Sequence, residues 1–224
     1  MPEHLCDHAI CLTVDRRYAA DWPRIERLFA GRVGTVEPHV DGAGGLLDAW
    51  LYDQTHDHPV PSSYSGRENS YWYTLSLKGA VRKAKARGWR EFLLLEDDCD
   101  LLPDFDRVAG LAHDQLAASG LSPDLFYYGA NHTPGYTREL SPNLVRCRNS
   151  WTTHCVKVRD TVYDDILSAP VVKAGDVIFA EDIQPNRLAV AVWPTVAIQR
   201  PGWSTLGQCF VDYAECWVSK GSAW

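Results

Sequence analysis

Leu93-Leu94-Leu95-Glu96-Asp97-Asp98-Cys99-Asp100 is the stretch that decides how this chain is read. Phe92 to Leu95 is wholly apolar, the pattern of a strand buried on both faces of a sheet. It runs straight into four acidic residues within five positions. Carboxylates at that density repel one another. Burying them without partners costs folding free energy or raises their pKa values. A divalent cation removes the conflict. Hard oxygens suit Mg²⁺ or Mn²⁺, which keep coordination positions open for phosphate oxygens. In open α/β sheets, ligands bind outside the carboxyl ends of strands, which is where these residues fall. The plain structural alternative is an acidic turn in solvent.

Outward from that stretch, apolar runs alternate with helical patterns. Ala9 to Val14 reads as a first strand, followed by Asp15, Arg16 and Arg17. Asp21 is placed to cap a helix with Pro23 in its first turn and Ile25, Leu28 and Phe29 on one face. Thr35 to Val40 reads as a second strand. Residues 53–69 carry His56, His58, Pro59, Pro61 and Gly66 among few aliphatics, a loop long enough to act as a lid or binding loop. Tyr73, Leu77, Ala80, Val81 and Ala84 repeat at helical spacing over 70–87, with Lys78, Arg82 and Lys85 on another face. Strands are expected at Leu125–Tyr128, 143–147, 152–158 and 189–193, and a short helix around Val162–Leu167. The alternation predicts an α/β fold, a mixed and mostly parallel sheet flanked by helices, with an antiparallel part appended in the second half. No linker separates two domains, so residues 1–224 are expected to form one domain.

Composition limits the function. The 224 residues are 46% hydrophobic and 23% charged, ordinary for a globular chain. No apolar run approaches a membrane span. Met1 to Asp7 lacks the basic and apolar regions of a secretory signal. The net charge of −7 disfavours bare nucleic acid or an anionic membrane as a partner, unless a local patch provides the contact. Seven cysteines with no CxxC pair suggest free thiols in a reducing cytoplasm. His4, Cys6, His8 and Cys11 offer zinc-type ligands, but their spacing matches no common zinc motif, and Cys11 reads as a filler in a buried strand.

The apolar strand followed by Leu95-Glu96-Asp97-Asp98, with Phe105 downstream, resembles the metal motif of glycosyltransferases with the nucleotide-diphospho-sugar (GT-A) fold. It is similar above all to the lipooligosaccharide and procollagen galactosyltransferase family, whose motif reads LEDD followed by a Phe. Other pieces fall in that family's order: the first strand leading to Asp15-Arg16-Arg17, the helix carrying Ser76, and Pro194 with Gln199 and Ser204. Where the family has a His after the Ser, this chain has Leu77. The resemblance spans about residues 9–206 and implies a GT-A-like fold. Residues of about 9–105 would form the nucleotide-sugar half and about 106–206 the acceptor half. It further implies Mn²⁺ or Mg²⁺ as cofactor and a UDP-sugar as donor. Asp98 and Asp100 would serve the metal, Glu96 or Asp97 the ribose or donor sugar, and Asp15 and Arg16 the nucleotide. The literal Asp98-Cys99-Asp100 triplet is a one-step register alternative to the Glu96–Asp98 pair.

Glu181-Asp182, ahead of an apolar helical segment, looks like the ED pair of inverting enzymes of this fold, in which the Asp is the base. An acceptor hydroxyl is a poor nucleophile until a positioned carboxylate takes its proton. The pair equally suits a helix cap, and Asp176 is the competing base. His154 or His132 is expected to complete a metal shell if either is not simply a hydrogen-bonded structural residue. Tyr127, Tyr128 and Asn131 are placed to line an acceptor side, and Trp151 and Trp203 to stack on a sugar or uracil. The expected activity is therefore a metal-dependent, inverting glycosyltransferase acting on a glycan hydroxyl. The basic face on 78–85 keeps a hydroxymethylated DNA base open as acceptor. A metal-dependent nuclease or phosphotransferase, or a non-catalytic calcium or sugar-binding module, are the rivals from other classes.

Overall fold

A computed structural model of the protein describes residues 5–41, 68–171, 173–204 and 209–212. Strand β1 (Cys6–Val14) runs directly into helix α1 (Asp15–Phe29), so the helix starts at the acidic residue after the strand and not at Asp21. Pro23 lies within that helix. Strand β2 (Val33–Asp41) follows. The loop expected over 53–69 lies outside the described residues except for Glu68 and Asn69, which open helix α2 (Glu68–Ala86). Then come β3 (Glu91–Glu96), β4 (Cys99–Leu101), α3 (Phe105–Ser119), β5 (Leu125–His132), β6 (Thr137–Ser141), β7 (Leu144–Cys147) and β8 (Ser150–Arg159). Helix α4 (Tyr163–Ser168) precedes a helical stretch whose first turn, α5 (Gly175–Val177), continues as a π-type segment over Ile178–Ile183. Strands β9 (Ala189–Val192), β10 (Ala197–Gln199), β11 (Gly202–Ser204) and β12 (Cys209–Val211) are the last of the described elements.

Eight strands form one sheet in the order β2-β1-β3-β8-β5-β9-β7-β6. Pairs β1–β2, β1–β3 and β5–β9 are parallel. Strand β8 is antiparallel to both β3 and β5, and β7 to both β9 and β6. Only β7 and β8 therefore run against the common direction, which is the mixed, mostly parallel α/β sheet expected.

Side chains of a strand alternate between faces, and both faces are covered here. Ile10, Leu12, Phe92, Leu94, Leu125 and Tyr127 point to one side, against Leu77, Ala80, Val81 and Ala84 of α2 and against Ile166, Ile178 and Phe179. Ala9, Cys11, Leu93, Leu95, Phe126 and Tyr128 point to the other, against Ile25 and Phe29 of α1 and Val108, Ala109 and Ala112 of α3. The apolar run at 92–95 is thus unbroken because each face has its own helical layer. The expected role of Cys11 as a filler holds: its side chain is wholly buried.

Two features of the core correct the sequence reading. Lys78 is 3% exposed and not on a solvated face. It shares the inward arc of α2 with Thr74 and Val81, and its Nζ donates to the carbonyls of Leu167 (3.1 Å) and Ala169. Tyr127 and Tyr128 line no surface: Tyr127 receives a hydrogen bond from the buried Gln184 amide at 3.0 Å, and the Tyr128 hydroxyl meets His113 Nε2 at 2.9 Å. Among the described residues, no helix is long and apolar enough to cross a membrane.

Candidate active site

Strand β3 ends at Glu96, and the Asp97-Asp98 turn hands the chain to β4, which pairs antiparallel with β10. The acidic residues consequently stand at the carboxyl edge shared by β1 and β3. Asp97 is 6% exposed and hydrogen-bonded at each carboxylate oxygen. Thr13, at the end of β1, donates to Oδ2 at 2.8 Å, and Arg17 of α1 donates to Oδ1 at 2.9 Å. Its main-chain N–H donates to the Leu12 carbonyl at 3.1 Å. Arg24 of α1 donates to the carbonyls of Asp97 and, at 2.6 Å, Cys99. Two arginines of α1 thus fasten the turn, one through a carboxylate and one through backbone.

Glu96 faces the opposite layer. Its Oε1 accepts from the Tyr73 hydroxyl at 3.0 Å and from Thr153 Oγ1 at 2.7 Å, and those two hydroxyls also touch each other. Burial and the neighbouring charge of Asp98 push its pKa up to about 8, against the pull of the two donors. Asp98 is pushed up to about 6, first by burial and then by the charge of Asp97, with Arg17, Gln199 and Arg200 opposing. Its Oδ1 is buried and takes no hydrogen bond from any described residue. The Asp98 carbonyl accepts from Arg200 N–H at 2.9 Å, and Arg200 Nη2 pairs with Asp21 at 2.8 Å. Asp100 accepts the main-chain N–H of Leu101 at 2.9 Å.

Strand β8 reaches this edge through an irregular start. Thr152 has φ +74°, a left-handed conformation that a β-branched residue rarely takes. The register of β5 against β8 shifts in the same region. The result sets Thr153 on Glu96 and aims Thr152 Oγ1 at His154 Nδ1, 3.0 Å away. Strain of this kind collects where a site over-determines the backbone. Gly129 of β5 completes the packing: a Cβ there would lie 2.0 Å from the Ala197 carbonyl and 2.4 Å from His154 Nε2.

Each residue proposed from sequence now has a place. Glu96, Asp97, Asp98 and Asp100 are together. The backbones of Asp15 and Arg16 begin α1 beside them, and their side chains are outside the described set. His154 is elsewhere in chemical terms: Nε2 meets the Ala197 carbonyl at 3.1 Å and Nδ1 meets Thr152 Oγ1, so neither ring nitrogen is left for a cation. Burial lowers its pKa to about 4, which keeps it neutral. His132 Nδ1 meets Ser150 Oγ at 2.7 Å. Trp151 is half-buried, its Nε1–H fixed on Thr133 Oγ1 at 3.0 Å, while the Trp203 side chain is outside the described set. His8, from the amino-terminal Cys/His group, stacks on Trp89 at 3.9 Å.

Glu181 and Asp182 face Lys173, whose Nζ donates to Asp182 at 2.6 Å and lies 3.5 Å from Glu181. Asp182 borders a cleft of about 480 Å³, shared with Asp165, Ser168, Lys173, Asn186 and Arg187; its lining includes neither Glu181 nor any of the β3 acidic residues. Asp176 instead raises the pKa values of Glu96 and Tyr73 by its charge. Thr13, Tyr73, Thr153 and Arg200 are site residues that the sequence reading does not single out, while Arg17 enters it only as the end of Asp15-Arg16-Arg17. Thr13 carries a signal, as a polar residue closing the first strand just ahead of that charged run.

Among the described residues, no three His, Cys, Asp or Glu side chains are arranged to hold a metal ion by themselves. A buried carboxylate oxygen without a partner among the described residues, beside a second carboxylate whose pKa burial and the Asp98 charge raise, nonetheless matches the donor set of Mg²⁺ or Mn²⁺. Such ions are bound through one or two carboxylates, with phosphate oxygens and water making up the shell.

No protein-family model and no curated protein matches this chain. Among solved structures it is similar to A197 from STIV, at 9% identity over 82% of this chain and 81% of that one, with a TM-score of 0.45. It is also similar to a mannose-1-phosphate geranyltransferase from Thermus thermophilus, at 10% identity over 83% and 73%, TM-score 0.43. A third is a UDP-glucose pyrophosphorylase complexed with UDP-glucose, at 7% identity over 82% and 89%, TM-score 0.44. At these identities and scores the likeness carries no argument about activity.

Proposed function

We propose that this chain is a metal-dependent glycosyltransferase, moving a sugar from a UDP-sugar to an acceptor hydroxyl with inversion. The observation that carries the reading is the buried Oδ1 of Asp98 at the carboxyl end of β3, unpartnered among the described residues, beside a Glu96 whose pKa burial and the Asp98 charge raise. That arrangement is unfavourable for an isolated chain and favourable for one that receives a cation with a diphosphate. Asp98 would hold Mn²⁺ or Mg²⁺, with Asp100 beside it. The cation, when bound, offsets charge on the departing nucleoside diphosphate. Arg17 and Asp97 hold the turn in register with β1, and a lone pair left on Asp97 can accept from a ribose or sugar hydroxyl. The UDP base and the single-domain organisation rest on the resemblance of Leu95 to Asp98 to the LEDD family.

A glycan is favoured over DNA as acceptor. Lys78 is buried, and Lys85 is ion-paired with Asp164, so two of the three cations that suggested a phosphate-binding face are spoken for. Trp151, held by Thr133 at the same edge of the sheet, provides a ring for sugar stacking. The test is a screen of UDP-glucose, UDP-galactose and UDP-N-acetylglucosamine, with Mn²⁺ or with EDTA, for UDP release in the presence of methyl glycosides. Manganese-dependent release from one donor supports the reading. Absence of release and of metal-dependent binding for every donor refutes it.

A further inference from the structure

We infer that Asp176, and not the Glu181-Asp182 pair, takes the proton of the acceptor hydroxyl; this rests on the transfer reaction proposed above and assigns its base. Three anchors fix Asp176 near the acidic edge. The Lys173 carbonyl accepts from the buried Thr74 Oγ1 at 2.7 Å, tying the start of the segment to α2. Gly175 lies flush on the residue before Thr74 in that helix: a Cβ would be 2.6 Å from Tyr73 Cε1 and 2.8 Å from Leu77 Cδ2. The Tyr73 ring is the one whose hydroxyl holds Glu96. Asp176 follows directly, and its charge is felt by both Glu96 and Tyr73.

The carboxylate itself is uncommitted. Among the described residues it accepts only main-chain N–H groups of its own turn, including Val177 N–H at Oδ1, 2.9 Å. Burial raises its pKa, which makes it a better proton acceptor than a solvated aspartate. Asp182 is in the opposite condition. Its Oδ1 is held by Lys173 at 2.6 Å, on a cleft that the β3 carboxylates do not line. An acceptor hydroxyl that approached this oxygen would have to displace the Lys173 ammonium.

In the transfer step, the acceptor oxygen forms a bond to the anomeric carbon and loses its proton to Asp176. The bond from that carbon to the phosphate oxygen breaks, and its electron pair leaves with the nucleoside diphosphate.

The experiment measures UDP release from the UDP-sugar found active above, to water and to methyl glycosides, together with donor KM. Asp176→Asn keeps an oxygen for the Val177 N–H, so the fold is retained. Its kcat is expected to fall by ~10²–10⁴-fold with donor KM nearly unchanged. Asp182→Asn is expected to lose less than tenfold. In Asp176→Ala, added formate is expected to restore part of the rate, which a merely structural aspartate would not show. Asp176→Asn within a few-fold of wild type, or a loss of donor affinity in place of kcat, overturns the assignment. If the wild-type chain releases no UDP from any donor, it is the transfer reading that has failed, and the base with it.

Discussion

Replacing Asp98 by Asn should stabilise the metal-free chain while abolishing its response to Mn²⁺. The carboxyl is raised from 3.8 to about 6 by burial and by the charge of Asp97. At 1.36 kcal/mol per pKa unit, ionising it in the folded state at neutral pH costs about 3 kcal/mol relative to the unfolded chain. An amide of the same shape does not carry that cost. The sign follows from proton binding. Between pH 4 and 6 the unfolded chain has lost this proton and the folded chain retains it, so wild-type stability falls as pH rises through that window and levels above it. For a chain of 224 residues, about 3 kcal/mol corresponds to a Tm rise of about 6–12 °C in EDTA. Mn²⁺ at a hundredfold excess over its Kd would stabilise wild type by about 2.7 kcal/mol, and the variant by almost nothing. Thermal melts at pH 4.5 and pH 7, with EDTA and with Mn²⁺, read both effects. A variant that melts at or below the wild-type temperature at pH 7, or that keeps the full Mn²⁺ shift, would falsify the view of Asp98 as a strained metal ligand.

Glu96→Gln should behave similarly over a wider range. Its carboxyl is held at about 8, so metal-free wild-type stability should decline from about pH 4.5 to pH 8, and the variant should lack that decline; urea titrations across this interval measure the difference. Gly129→Ala places a methyl 2.0 Å from the Ala197 carbonyl, forces β10 off β5, and should cost about 3 kcal/mol or more, read as a lower urea midpoint. A duplex of about 20 base pairs should show no binding at physiological salt, given the net charge of −7 and the burial of Lys78. Micromolar affinity with a steep salt dependence would restore DNA as an acceptor.

The parts of this molecule that are legible in the sequence are those decided by local pattern. Leu93 to Leu95 announce a doubly covered strand because no polar residue interrupts it, and Glu96 to Asp100 announce a site because four carboxylates cannot share a strand end without a reason. Helix α3 is absent from the sequence expectations although Val108, Ala109 and Ala112 carry its inward face and Gly120 its left-handed stop; reading Phe105 as part of a motif hides the periodicity that follows it. Lys78 departs from expectation because a lysine is assigned to solvent by default. Its carbonyl partners lie 89 and 91 residues downstream, and no local pattern contains them. His154 shows the same limit, since the carbonyl that occupies its Nε2 belongs to Ala197.

The aspartates show most clearly where pattern stops. Asp176 and Asp182 are six positions apart on one helical stretch, and adjacency to Glu181 favours the second. What separates them chemically is the rest of the fold. Lys173 neutralises Asp182, while Gly175 presses the backbone before Asp176 onto Tyr73, the residue whose hydroxyl holds Glu96. A carboxylate becomes a base through the absence of a nearby cation as much as through its own identity. That absence is set by which face of a helix turns toward which strand end. Substituting Lys173 by Met separates pairing from position: it should free Asp182 of its cation, yet leave transfer dependent on Asp176, because a free carboxylate on the wrong cleft still cannot reach the acceptor. A Lys173→Met chain in which Asp176→Asn no longer impairs transfer would show that cation pairing alone, and not position, had kept Asp182 from acting.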